Sequence, residues 1–125
     1  MPAKHHSEGF LALVNDAKKR VKEVDIEGYR RMQQSGSPFV LVDVREDSEW
    51  AAGHAAGAKH LGKGIIERDI ESQIPDKNTT LVLYCGGGYR SALAADALRQ
   101  MGYANAISLD GGWRAWQNAG LPVER

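Results

Sequence analysis

The chain of 125 residues has no surplus of charge of either sign, since 16 Lys and Arg stand against 16 Asp and Glu. A polyanion-binding excess is therefore missing, and nucleic acid is not an expected partner. Long apolar runs are missing too. Runs such as residues 39–42 and 81–83 fall far below the ~20 residues that a membrane-spanning helix requires, so no membrane partner is expected. Met1-Pro2-Ala3-Lys4-His5-His6-Ser7-Glu8 contains no secretory apolar region or cleavage pattern, which makes the cytoplasm the expected compartment. Cysteine is the scarcest residue. Cys85 stands alone, which excludes an internal disulfide, a multi-cysteine metal cluster and an internal resolving thiol within one chain. What is present, 42% hydrophobic and 26% charged residues, suits one globular domain with a core of its own and is too little chain for two.

Hydrophobic spacing changes in type along the chain. Phe10, Leu13, Val14, Ala17 and Val21 recur at intervals of three and four after Ser7, a candidate N-cap, and Lys18, Lys19, Arg20 and Lys22 crowd the far end. This predicts an amphipathic helix over residues 8–21. Asp25 as cap and the Ser35-Gly36-Ser37-Pro38 breaker bound a second helix over 26–34. The continuous run 39–44, rich in β-branched residues, predicts a strand buried on both faces, and 81–84 and 106–109 read as two more. Helices are expected over 46–52, 65–74, 91–101, where Ala and Leu abound before Gly102, and 113–118. Strands alternating with helices predict an α/β fold, a mainly parallel sheet with helices on both sides.

In such sheets ligand sites form beyond the carboxyl ends of strands, and Cys85 stands at one. Leu81-Val82-Leu83-Tyr84-Cys85-Gly86-Gly87-Gly88-Tyr89-Arg90-Ser91 runs from strand through a glycine-rich turn into a helix. Three successive glycines open backbone conformations closed to other residues, so consecutive N–H groups can converge beside the sulfur. Convergent amides, a helix N-terminus and a nearby guanidinium favour thiolate over thiol. The same donors would hold an anionic substrate or adduct. The arrangement suits group transfer through a covalent cysteine adduct. A core cysteine beside a tight turn is the plainer alternative.

Four pieces in this order resemble the rhodanese-like single-domain sulfurtransferases: Leu41-Val42-Asp43-Val44-Arg45-Glu46; Glu49-Trp50 with Gly53-His54 and Gly57-Ala58; Tyr84-Cys85 through Arg90-Ser91; and Leu109-Asp110-Gly111-Gly112-Trp113 with Trp116, Gly120 and Pro122. The resemblance implies a three-layer domain with a five-stranded, mainly parallel sheet over residues 24–125, preceded by a helical extension, residues 1–23. It implies that Cys85 accepts a sulfane sulfur as a persulfide from a small anionic donor, thiosulfate or a persulfide, and passes it to cyanide or a thiol. A protein acceptor, with the domain acting as a persulfide carrier, is the alternative. No metal or organic cofactor is implied. Cysteine-dependent phosphatases resemble one another in placing five residues between cysteine and arginine, whereas here only Gly86, Gly87, Gly88 and Tyr89 intervene. The shorter loop fits one transferred sulfur atom better than a phosphoryl group, which leaves a phosphatase as a distant alternative.

Gly86, Gly87, Gly88, Tyr89, Arg90, Ser91 and Arg45 are the expected substrate-binding residues. Arg90 is expected to aim its guanidinium at an anionic donor or to hold the loop. Ser91 is read as the helix cap, with a hydroxyl able to donate toward sulfur, and Tyr89 as shaping the entrance. Asp43 is read as architectural and Arg45 as a contact for the donor. His54 lacks a partner histidine at ligand spacing and reads as part of a structural turn, while His5 and His6 read as a solvated tail. Trp50, Trp113 and Trp116 are expected to pack in the core. Lys18-Lys19-Arg20 reads as the polar face of the first helix, which either covers its own domain or docks a partner.

Overall fold

Short apolar strands and longer amphipathic runs follow one another in the computed structural model, which describes residues 6–125. The elements are α1 (Glu8–Lys18), β1 (Lys22–Val24), α2 (Ile26–Ser35), β2 (Val40–Asp43), α3 (Asp47–Ala52), β3 (His54–Ala55), β4 (Lys59–His60), α4 (Ile66–Gln73), β5 (Leu81–Tyr84), α5 (Tyr89–Gln100), β6 (Ala106–Leu109), α6 (Gly112–Asn118) and β7 (Val123–Glu124). Five strands make one parallel sheet in the order β1-β6-β5-β2-β4, and β3 pairs antiparallel with β7 in a separate ribbon. The expected α/β fold with a five-stranded sheet is therefore present.

The alternation of side chains along a strand divides the core in two. Leu81, Leu83 and Cys85 of the β5 segment face α4 and α5, where they join Ile66, Ile70, Ala94, Ala95 and Leu98. Val82 and Tyr84 face the other way, onto Tyr29 of α2 and Trp116 of α6. This parity puts the cysteine on the α5 side of the sheet. Alanines at 92, 94 and 95, all buried, let α5 lie close to the strands.

The first helix stops at Lys18, short of the expected Val21, and the chain turns through Arg20 into edge strand β1. Ser7 is its N-cap by position, but its hydroxyl makes no cap bond. Asp25 caps α2 as expected, accepting the Gly28 amide at 2.8 Å. On the exposed side of α5, α1 buries Val14 and Ala17, and Arg20 donates to Asp96 of α5 from Nε at 3.1 Å and from Nη2 at 2.8 Å. The first helix thus covers its own domain.

Candidate active site

Beyond Tyr84 the chain leaves the sheet at Cys85 and re-enters regular structure at Tyr89, with Gly88 as N-cap at φ 103°. That left-handed value suits glycine and strains any other residue. The turn brings the Gly88 N–H back onto the cysteine, and Sγ accepts it at 3.1 Å. Among the described residues no backbone carbonyl takes the amides of Gly86, Gly87, Tyr89 or Arg90, so donors flank the sulfur without a main-chain partner.

Ser91 does not cap the helix, because α5 begins two residues earlier than the sequence pattern suggested. Its hydroxyl lies inside the first turn, where the Cys85 thiol donates to it at 3.5 Å. Ser108 of β6 stands 2.8 Å behind it, oxygen to oxygen, and both serines are buried. With Cys85 as thiolate the pair can reverse, Ser108 donating to Ser91 and Ser91 to sulfur. Sequence reasoning gave Ser108 no role. Its signal was a lone hydroxyl in an otherwise apolar strand.

Helix α6 holds the loop from behind. The amide of Trp113 donates to the Cys85 carbonyl at 2.7 Å and that of Arg114 to the Gly86 carbonyl at 3.1 Å. With those carbonyls bound outward, the intervening N–H groups are left on the cleft side. The approach is close enough to require glycine: a Cβ on Gly112, whose φ is 49°, would lie 2.3 Å from the Cys85 carbonyl oxygen. The Gly111-Gly112-Trp113 motif thus shapes the cysteine loop.

Arg90 lies at the cleft, but its guanidinium is occupied. Nη1 donates to Glu49 Oε1 at 2.7 Å and Nη2 to Oε2 at 3.1 Å, a bidentate pair between α5 and α3. Glu49 is fixed in turn by a capping box, accepting the Glu46 amide at 3.0 Å. Arg90 holds the Glu49 carboxyl down to about 2, with help from that amide and against the cost of burial. Glu49 raises the Arg90 pKa most, burial opposes this, and the adjacent Cys85 sulfur adds to the rise. Arg90 therefore ties the loop to α3 as well as facing the sulfur.

Arg45, expected to contact the donor, is placed elsewhere. It is 3% exposed, bonds Asp43 through Nε and Nη2 (2.8 Å at the shortest), and donates to the Gly53 carbonyl at 2.7 Å. Its guanidinium carbon lies 4.6 Å from the centre of the Trp113 ring. Asp43 also accepts Tyr84 Oη at 2.6 Å, and that hydroxyl accepts the Ala55 amide at 3.0 Å. Burial and the Asp43 carboxylate both push the Tyr84 phenol up, so it stays a neutral donor. Arg45 belongs to this buried network and does not line the cavity at Cys85. His54 packs flat on Trp50, ring centres 3.5 Å apart, away from the sulfur.

His6 is not a solvated tail residue. Its ring meets Phe10 at 5.2 Å and Tyr89 edge-on at 4.6 Å, while His5 lies outside the described residues. These three rings line one wall of a cavity of about 640 Å³ with Cys85, Gly86, Gly87 and Arg90, and Arg114 lines it as well. Cys85 is only 1% exposed, yet it borders this cavity. Among the described residues no group of three or more His, Cys, Asp or Glu could hold a metal ion.

The family model for the rhodanese-like domain matches residues 25–119. A sulfurtransferase of Allochromatium vinosum is 36% identical over 103 residues, 82% of this chain and 94% of that protein. The probable adenylyltransferase/sulfurtransferase MoeZ of Mycobacterium tuberculosis is 38% identical over 82 residues. That match takes in 66% of this chain and only 21% of MoeZ, so the chain spans about a fifth of that protein's length. Among solved structures, a protein of unknown function from Rhodopseudomonas palustris, named a possible tyrosine phosphatase, superposes with TM-score 0.83 at 31% identity and covers 99% of both chains.

Proposed function

The chain belongs to the rhodanese-like domain family, and on that footing we propose that it is a sulfurtransferase, carrying a sulfane sulfur on Cys85 between a small anionic donor and a thiophilic acceptor. One observation carries the reading: Sγ accepts the Gly88 amide at 3.1 Å in a loop whose other amides are unclaimed by backbone and which borders a cleft. A thiolate there attacks the outer sulfur of thiosulfate. The sulfur–sulfur bond of the donor breaks, sulfite leaves with the electron pair, and a persulfide remains on Cys85. The loop amides beside Cys85 then serve the terminal persulfide sulfur, which is anionic. Attack by cyanide or a thiolate on that outer sulfur returns the electron pair to Sγ and completes a double displacement. The sulfurtransferase of A. vinosum, matched along nearly its whole length, supports the same reading.

The R. palustris neighbour raises phosphate transfer as the competing chemistry. Four residues between Cys85 and Arg90, with Arg90 already bound at both terminal nitrogens by Glu49, leave a tighter and less cationic cradle than a phosphoryl group needs. Incubation with thiosulfate is expected to add one sulfur atom to the Cys85 peptide, read by mass spectrometry, and Cys85→Ser to lose both this adduct and thiocyanate formation. Thiocyanate turnover retained in the serine variant, or Cys85-dependent hydrolysis of an aryl phosphate with no sulfur uptake, would reject the proposal. Fast exchange with protein thiols beside negligible thiosulfate turnover would identify a sulfur carrier.

A further inference from the structure

Thiosulfate and cyanide are a few atoms each, yet the cavity at Cys85 is about 640 Å³, the size that holds an organic ligand of many atoms. Its two walls differ in character. On the α1 side stand the rings of His6, Phe10 and Tyr89, the last two 6.2 Å apart and edge-on. On the α6 side stands Arg114, exposed and in no ion pair among the described residues. Its backbone is anchored to the cysteine loop through the Gly86 carbonyl at 3.1 Å, so its side chain starts from a main-chain position tied to that loop. Arg90, the other cation of the cleft, is neutralised by Glu49. A small acceptor would use neither wall.

We propose that the acceptor this cleft is built for is an organic thiol with an anionic group and an aromatic or apolar body, the anion held by Arg114 and the body lying on Phe10 and Tyr89. The inference rests on the sulfur-transfer reading and specifies its second substrate. The acceptor thiolate attacks the outer sulfur of the Cys85 persulfide, a new sulfur–sulfur bond forms on the acceptor, and the bond to Sγ breaks with its electron pair returning to Sγ. The products are an organic persulfide and free Cys85 thiolate, with no external oxidant or reductant. Ring faces and edges pack well against an aromatic body, and a guanidinium reads a carboxylate or sulfonate through paired N–H donors.

The test uses the full chain, loaded on Cys85 with thiosulfate or inorganic polysulfide and discharged by 4-mercaptobenzoate or by cyanide. The ratio of the two second-order rate constants is expected to fall about tenfold in Arg114→Gln and in Phe10→Leu, with Arg114→Lys recovering part of it. A ratio unchanged in both would overturn the proposal. A second measurement does not depend on sulfur transfer: 4-(methylthio)benzoate, which cannot accept sulfur, is expected to bind the unloaded protein with a Kd raised about tenfold by Arg114→Gln. Binding that ignores the substitution overturns the acceptor site. Binding that follows it, in a protein that loads no sulfur from either donor, overturns the sulfur-transfer reading and leaves the cleft as a site for aromatic anions.

Discussion

Gly112 is the residue at which the cysteine loop admits least change. A methyl group there meets the Cys85 carbonyl oxygen at 2.3 Å, and φ of 49° already disfavours any residue with a Cβ. Relief requires the loop to move away from α6, and the Trp113 bond that holds the Cys85 carbonyl outward goes with it. Gly112→Ala is expected to slow sulfur uptake by Cys85 at least tenfold and to cost about 2–3 kcal/mol of stability, read from stopped mass spectra and urea unfolding. Glu49 offers a different test. Its folded carboxyl, held down to about 2 from an ordinary 4.5 chiefly by Arg90, contributes stability that is present above about 4.5 and is lost as pH falls toward 2. Glu49→Gln is therefore expected to destabilise at pH 7 by about 0.5–1 kcal/mol, a figure reduced for solvent screening of a pair exposed by a third, and the gap between variant and parent is expected to close as pH falls from about 4.5 to 2. Urea midpoints across that range check it. That Cys85, the glycines and Arg90 lie together was legible because they are contiguous in the sequence at a strand-to-helix turn. Glu49 and Ser108 were not, since a surface carboxylate or a strand hydroxyl has meaning only once another element is set beside it. The surroundings of Arg45 were hidden for the same reason: the sequence does not reveal that Asp43 and the Gly53 carbonyl bind its guanidinium.

At the scale of elements, legibility followed length. Buried strands β2, β5 and β6 were readable because short, mostly apolar runs flanked by turn signals leave few alternatives. Strands β1 and β4 were not readable: at three and two residues, Lys22–Val24 and Lys59–His60 are too short for a period and too polar for a run, and only pairing with β6 and β2 makes them strands. The missed start of α5 came from a local preference for serine caps losing to Gly88, whose left-handed conformation starts the helix sooner. The tie among β2, β5 and the turn before β3 is the Asp43 network, and its energy depends on completeness. Asp43 is 0% exposed and neutralises Arg45 while accepting Tyr84 Oη. Asp43→Ala leaves a buried guanidinium with no counter-charge and is expected to cost about 3–5 kcal/mol, seen as a lowered urea midpoint at unchanged slope. A cost below about 1 kcal/mol would mean that water reaches Arg45 and that the network is not closed.

For the whole molecule the open matter at sequence level was what the first helix does, because amphipathic spacing says that a face is buried and not against what. The structure lays that face on α5, and the consequence reaches the cleft, since Phe10 and His6 travel with α1. Docking rests on Val14 and Ala17, the buried residues of α1, on Phe10 against Tyr89, and on the pair of Arg20 with Asp96 at the far end. Val14 is 0% exposed, so Val14→Ala removes two methyl groups' worth of burial and leaves a gap beside α5, expected to cost about 2 kcal/mol. In a domain of this size that is a fall in Tm of roughly 8 °C. The helix and the sheet are expected to melt in one transition, because α1 covers apolar surface on α5 that would otherwise meet water. Thermal unfolding followed by circular dichroism in the far and near ultraviolet checks both statements. A Tm lowered by less than about 3 °C would show that α1 does not bury Val14 in solution, and a separate early melting of helix would make the aromatic wall of the cleft a hinged part that opens without unfolding the sheet.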